Sequence, residues 1–501
     1  MVGPHDQKPP VRLADHWYKK GSSVKENAFK NVLWWQTFRD QNLTDLIHCA
    51  YQNNLNLHSA GVHVLQARAQ LAQAVGQLYP QQQGMVGSLN YYRMGGGYLD
   101  SVLPSNFAAA LLGFSANWEI DFWGKYRRAI QAKDAMFMAS LAAYDAALVT
   151  LTADVATQYI NIRTSEALIR VTQENIALQQ MSLKLTQARY ESGEVSLLDV
   201  EQAKTELSET QSQLPVLVSQ LQSQKDALAV LLGLTPNEVS ALVKKSHGIP
   251  QAPSVVNVGI PKESLSRRPD IHQARQEAAA ELATIGQIKA NLYPSLALAG
   301  NFSFASNTIH GASLGDLFST SNVNILAGPT LNWPLLNYGQ ITNAVRAQDA
   351  LYQQALLKYV NLILVAQKEV QDSMTRYTEG KKSESFLRQA SKSAIRSTQL
   401  TLIQYREGED QYTTVLYAEQ QQLRVQTSLV KAQAEVPLAL VSLYRALGGG
   451  WQLRRGRDLV PLKMKDDMAA RTWWGDLLDE KEHRPPVSPA DHAKQLFLPQ
   501  W

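Results

Sequence analysis

The sequence predicts a mostly α-helical chain with a small membrane β portion, the whole built twice from one unit. Three observations lead there: landmarks that recur at a fixed offset, apolar residues spaced by seven along very long stretches, and short segments that alternate apolar with small polar side chains.

The recurrence is direct. Leu78-Tyr79-Pro80 returns as Leu292-Tyr293-Pro294, 214 positions on. Asn117-Trp118 with Trp123-Gly124 returns as Asn332-Trp333 with Tyr338-Gly339, 215 positions on. Arg189-Tyr190-Glu191-Ser192-Gly193-Glu194 returns as Gln404-Tyr405-Arg406-Glu407-Gly408-Glu409, and Leu232-Gly233 as Leu447-Gly448, both again at 215. Four landmarks in one order at offsets of 214 or 215 mark a duplicated unit of roughly 170 residues. The expected organisation is an N-terminal segment 1–35, a first repeat 36–234 with a strand pair near 84–121, an inter-repeat segment 235–262, a second repeat 263–450 with a strand pair near 295–334, and a C-terminal segment 451–501.

Each unit begins with a helical run ending at the Leu-Tyr-Pro. Strands follow. Leu112, Phe114, Ala116, Trp118 and Ile120 alternate with Gly113, Ser115, Asn117, Glu119 and Asp121. Leu296, Leu298, Gly300, Phe302 and Phe304 do the same, as do Val323, Ile325, Ala327, Leu331 and Trp333. The stretch from Met85 to Met94 alternates less cleanly at Tyr91 and Tyr92, and Gly95-Gly96-Gly97 reads as a hairpin loop. One greasy and one small polar face suit a membrane barrel wall, although a half-buried soluble sheet alternates identically.

The long helices separate these readings. Leu141, Leu148, Val155, Ile162, Ile169, Ile176, Leu183 and Tyr190 keep a seven-residue period, and Val200, Leu207, Leu214, Leu221 and Leu228 keep another. Leu416, Leu423, Val430, Pro437 and Tyr444 repeat it. A period sustained this long signals coiled-coil packing. A helix from Gly124 to Tyr190 would reach about 100 Å. Pro215 and Pro437 fall inside the pattern and are expected to bend their helices. Four strands cannot close a barrel, and open edges in lipid leave backbone groups unpaired at several kcal/mol each, so several copies must share one barrel.

Composition removes other functions. With 48 basic against 44 acidic residues the net charge of +4 gives no nucleic-acid footprint. A lone cysteine, Cys49, excludes an internal disulfide and a multi-cysteine metal site. No metalloprotease, phosphate-loop, nucleophile-elbow or dinucleotide string occurs, so neither an enzyme activity nor a cofactor is expected. No run of 18 apolar residues is present, so no membrane helix is expected, and any signal peptide is expected to be absent from this numbering.

The chain resembles the TolC-like outer-membrane factors, in their lipid-anchored multidrug-efflux branch. The resemblance covers about residues 1–451 and rests on Val2-Gly3-Pro4 with Pro9-Pro10, Trp34-Trp35 with Phe38, and Tyr79-Pro80. Trp118-Glu119-Ile120-Asp121-Phe122-Trp123-Gly124, Arg267-Arg268-Pro269-Asp270 and Leu447-Gly448-Gly449-Gly450-Trp451 complete it. It implies a homotrimer with a shared twelve-strand barrel in the outer membrane, a periplasmic helical barrel, and an equatorial collar. It further implies a passive exit duct for small molecules such as drugs, served by a periplasmic adaptor and an inner-membrane pump. An acylated cysteine usually precedes the Val-Gly-Pro, where Met1 stands here. A polypeptide-secretion conduit and, more remotely, a soluble coiled-coil scaffold are the alternatives.

The resemblance also places a gate at the helix tips, residues 189–195 and 405–410. Gly193 and Gly408 fall where the chain must reverse. Asp199 and Tyr405 match a family pair that links neighbouring helix pairs, and a Tyr405–Asp199 hydrogen bond would be worth about 1.5–3 kcal/mol. Tyr417 stands where the family's Val-Leu-Asp-Ala-Glu/Gln string has its acid. It predicts an aromatic constriction with Thr413, unless Tyr417 packs between helices, while Glu409 and Asp410 supply negative charge nearer the tip. Arg189, Glu191, Arg406 and Glu407 flank the turns as candidate adaptor contacts, or as merely solvated charges. Residues 452–501, with Arg454-Arg455, Trp473-Trp474 and Pro485-Pro486, form either an amphipathic helix over 466–481 or a flexible tail.

Overall fold

A computed structural model of the chain describes residues 1–5, 11, 14–18, 23–27, 33–93, 95, 104–243, 248–309, 312–479 and 496–498. The predicted features at Pro9-Pro10, Met94, Gly96-Gly97, residues 480–481 and Pro485-Pro486 lie outside them.

Strand β1 (Val24–Lys25) precedes helices α1 (Gln41–Asn53) and α2 (Leu55–Gly76). The first strand pair is β2 (Gln82–Arg93) and β3 (Asn106–Ile120), followed by α3 (Lys125–Glu191) and α4 (Leu197–Leu232). Between the repeats lie α5 (Pro236–Leu242), β4 (Val256–Asn257) and α6 (Pro261–Leu265). The second repeat runs α7 (Pro269–Ala290), β5 (Ser295–Asn307), β6 (Val323–Asn332), α8 (Gln340–Glu407) and α9 (Tyr412–Ala446), and α10 (Leu462–Arg471) follows. Helix, two strands, very long helix, long helix is thus written twice.

The strands form one antiparallel sheet in the order β2-β3-β5-β6. Its register aligns the apolar alternates of the two repeats: Leu112 with Phe304, Phe114 with Phe302, Trp118 with Leu298, Ile120 with Leu296. Met85, Leu89 and Tyr91 continue this face on β2, so the tyrosine pair divides cleanly, with Tyr92 on the opposite face stacked on Phe107. Much of the apolar face is open: Leu89 is 71 % and Ile325 72 % exposed. The outer strands β2 and β6 each pair on one side only.

At the sheet's base, equivalent contacts hold both hairpins to their helices. The Trp118 indole donates to the Leu78 carbonyl at 3.1 Å, and the Trp333 indole to the Leu292 carbonyl at 3.2 Å. Between repeats, Trp123 stacks on Tyr293 and donates to the Pro294 carbonyl at 2.9 Å. Its counterpart Tyr338 is 94 % exposed.

α3 and α8 are each close to 100 Å long by their residue count. α3 is also long and apolar enough to cross a membrane by length and composition, which amends the expectation from unbroken apolar runs, but two thirds of the qualifying stretch is buried against other helices. α4 and α9 run without interruption through Pro215 and Pro437. The aromatic cluster before the first helix forms a 3-10 turn, Trp34–Phe38, buried against Tyr444, onto which Trp34 stacks at 5.3 Å. β1 pairs in parallel with β4, and the inter-repeat segment meets α8 where Tyr377 donates to the Pro253 carbonyl and Lys381 to that of Ser254.

The C-terminal segment is packed as far as it is described. α10 is shorter than the predicted helix because Thr472 turns extended, and a 3-10 turn, Gly475–Leu478, follows. Met468 joins the main core; Lys465 is buried, paired with Asp458 at 2.8 Å. Arg454 forms an ion pair with Asp145 of α3, both mostly buried.

Candidate functional site

At the end remote from the sheet, α3 turns into α4 and α8 into α9. Gly193 and Gly408 have φ of 80° and 82°, the left-handed region that favours glycine, and this permits both reversals. Asp410 lies just before α9, its carboxylate accepting from the Gln411 amide at 2.7 Å and the Thr414 hydroxyl at 2.9 Å. Asp199 lies in the first turn of α4, where the helix dipole favours a negative charge.

The two tips meet through Arg189. Its guanidinium lies over the Tyr405 ring at 4.7 Å, donates to the Tyr405 carbonyl, and pairs with Glu194 at 3.0 Å. The side chain is only 14 % exposed, so Arg189 is turned into the tip rather than offered to solvent. Tyr405 is buried against Tyr412, ring to ring at 5.5 Å, and its hydroxyl, beside Thr186, is pushed up in pKa by burial. No hydrogen bond joins it to Asp199 within the chain: among the described residues the Tyr405 hydroxyl has no partner of ordinary geometry. Glu191 and Glu409 are exposed, and Arg406 pairs with its neighbour Glu407 at the surface. Tyr417 is 64 % exposed, one helical turn from exposed Thr413, so within the chain it does not pack between helices.

The seam behind the tips departs from the expected one. The series holds through Leu141, Leu148, Val155 and Ile162, all buried. Beyond it Ile169, Ile176 and Leu183 are half-buried and Tyr190 is exposed, while the buried stripe passes to Ser165, Thr172, Asn175, Gln179, Ser182 and Thr186. These recur at the same alternation of three and four that defines a coiled-coil seam. Small and polar side chains let α3 approach α9 closely and tie the two repeats by hydrogen bonds: Asn175 donates to Gln426 at 2.7 Å, and Gln420 to Glu206 at 2.7 Å. Glu206 on α4 and Glu419 on α9 are both buried there. These two acids escaped the sequence reading, although the run of seam positions in Ser, Thr, Asn and Gln could have revealed the layer.

No group of three or more His, Cys, Asp or Glu side chains suited to a metal ion occurs among the described residues.

A sheet with an open greasy face and two open edges, set on helices of this length, defines a segment of wall in a membrane-embedded duct. Residues 46–234 and 260–449 match the family described as outer membrane efflux protein, and the chain belongs to that family. It is 28% identical over 439 residues to the pyoverdine export outer membrane protein OpmQ of Pseudomonas putida, covering 87% of this chain and 92% of the relative. It is 28% identical over 458 residues to the cation efflux system protein CusC of Escherichia coli, covering 90% and 96%. The solved outer-membrane channel OprN superposes with a TM-score of 0.83 at 26% identity, covering 90% of this chain and 99% of that one. The protein is an outer-membrane efflux channel subunit, the exit duct of a tripartite efflux system, and its family is one of transport proteins rather than enzymes.

Proposed function

We propose that three copies assemble into one continuous duct, a twelve-strand barrel in the outer membrane above a periplasmic helical barrel, which passes small molecules outward and closes at the helix tips. The observation that carries the assembly is the pairing of exposed apolar positions across the repeat. Within the chain, Val149 on α3 is buried and lines a cavity of about 450 Å³ together with Arg445 on α9. Moving both by the repeat offset gives Leu364 on α8, 52 % exposed, and Val230 on α4, 73 % exposed. Each lacks the neighbour its counterpart has. Leu364 of one copy facing Val230 of the next restores the neighbourhood that Val149 and Arg445 share, as pairing β6 with the next β2 removes both sheet edges. Three copies of four strands agree with the resemblance.

The tips are where the duct narrows. Tyr417 and Thr413 face away from the chain's own packing and supply an aromatic constriction, with Glu409 and Asp410 below it. Asp199 lies near the buried Tyr405, and its charge helps hold neighbouring helix pairs together when the tip is shut. Glu191, Gly193, Arg406, Glu407 and Gly408 offer the outer tip surface to the hairpins of a periplasmic adaptor, which connects to an inner-membrane pump. The start of the chain lies at the base of the sheet, where the Val2 amide donates to the Trp123 carbonyl at 2.9 Å, so an acyl group there would reach lipid.

Single-channel recording tests this. Small, brief currents from the purified assembly, enlarged by Asp199→Ala, are the expected result. Failure to insert, or a closed-state conductance unchanged by Asp199→Ala, would refute the duct or its gate respectively.

A further inference from the structure

The buried polar layer behind the tips holds two carboxylates, Glu206 and Glu419. Glu419 is 1 % exposed, and among the described residues neither of its carboxylate oxygens has a partner of ordinary geometry, although the Ser182 hydroxyl lies beside it. The Gln179 carbonyl oxygen and the Ser182 hydroxyl, both on α3 in the same layer, are likewise buried without partners. Glu206, on α4, takes donations from Gln179 at 3.4 Å and Gln420 at 2.7 Å, which accounts for its charge but leaves Glu419 facing a second carboxylate. A buried carboxylate with only a hydroxyl beside it and a second carboxylate facing it is costly to keep charged. One added hydrogen resolves the layer. A neutral Glu419 acid donates to an orphaned acceptor and no longer repels Glu206.

We infer that Glu419 and Glu206 form a proton-held latch between α9 and the α3–α4 hairpin: the closed tip keeps Glu419 as the neutral acid, and separating α9 wets the carboxyl and releases its proton to solvent. The step is the reversible loss of one proton from one carboxyl group. The inference rests on the reading of the tips as a gate.

The groups facing Glu419 are few. α3 presents Ser182, α4 presents Glu206 with Gln179 of α3 bonded to it, and α9 itself presents Tyr412, whose hydroxyl burial pushes well up in pKa. Burial first, and then the Glu206 charge, hold the packed Glu419 carboxyl at about 7 against an ordinary 4.5. The sign follows from linkage: closure is favoured in full below the ordinary carboxylate range and loses that contribution as pH rises through about 7. Tip opening therefore increases from mildly acid to mildly alkaline pH.

The test is hydrogen exchange of residues 412–423 in the full-length, detergent-solubilised assembly, corrected for the intrinsic rate at each pH. In the unsubstituted protein, protection of this segment is expected to fall about tenfold or more between pH 5 and pH 8. Glu419→Gln, which keeps the shape without the proton, is expected to hold protection high and flat across that range. Glu206→Gln removes the like charge that helps hold the Glu419 carboxyl up, and is expected to shrink the fall and move its midpoint to lower pH. A flat profile in the unsubstituted protein, or one that survives Glu419→Gln, overturns the latch. Should Glu419→Gln fail to assemble, the unsubstituted profile and Glu206→Gln decide alone. Exchange reads the contact whether or not the assembly conducts, so loss of channel activity and loss of the latch are separate results.

Discussion

α3 and α8 are one element written twice, 67 and 68 residues long, yet 30 residues of α3 are buried and only 11 of α8. Their surroundings differ. α3 lies among α2, α4, α7 and α9, so it touches both repeats; α8 packs chiefly on α7 and α9 of its own repeat. The positions that bury α3 have exposed apolar counterparts on α8, such as Leu357 at 62 % and Leu364 at 52 %. A helix with that much greasy surface in water is a helix whose neighbours belong to another copy. The duplication thus makes the chain its own template: contacts inside it show which contacts must form outside it.

The largest effects should come from testing that equivalence directly. Val149→Asp replaces a buried apolar side chain of α3 by a carboxylate and is expected to cost about 1–3 kcal/mol, seen as a lowered thermal transition followed by circular dichroism. Leu364→Asp, its counterpart, is expected to leave the helical signal of the separated chain intact while abolishing assembly in native mass spectrometry. A similar loss of helicity in both variants would break the comparison. Arg454→Ala comes next. It strands buried Asp145 on α3, where the α8 counterpart is Val360, and is expected to cost about 3–5 kcal/mol in thermal or denaturant unfolding.

On the sheet, Ile325→Arg sets a charge on the open apolar face and is expected to weaken membrane insertion by about 2–4 kcal/mol, measured by folding into lipid vesicles. Asn324→Arg, on the opposite face, should be far milder. The smallest effect is expected at the tip. Arg189→Ala removes the cation over Tyr405 and the bond to its carbonyl, together about 1–2 kcal/mol, and should raise resting conductance several-fold without altering thermal stability.

Much of this architecture is legible in the sequence because it is carried by periods. Repeat landmarks fix the duplication, the period of two fixes which strand residues share a face, and the period of seven fixes helices far longer than ordinary domains need. The tip seam was not legible in that way. Ile169, Ile176, Leu183 and Tyr190 continue the heptad beyond Ile162, but the stripe that α3 buries there is Ser165 to Thr186, at other phases of the same helix. An apolar heptad identifies a face; it does not say whether that face meets its own chain or the next one. Arg189 shows the same limit, since a charge beside a turn reads as solvated until Tyr405, from the other repeat, is seen beneath it. Glu206 and Glu419 carry no signal of their own in the sequence, because burial of an acid is decided by three-dimensional neighbours.

Disulfide trapping tests the central claim most directly. With Cys49 replaced by Ser, Leu364→Cys and Val230→Cys in one chain should cross-link neighbouring copies under mild oxidation, giving dimers and trimers but no larger species on a non-reducing denaturing gel. Cross-links confined to single chains, or none in an intact assembly, would contradict the account of the duct as a template completed by its own copies.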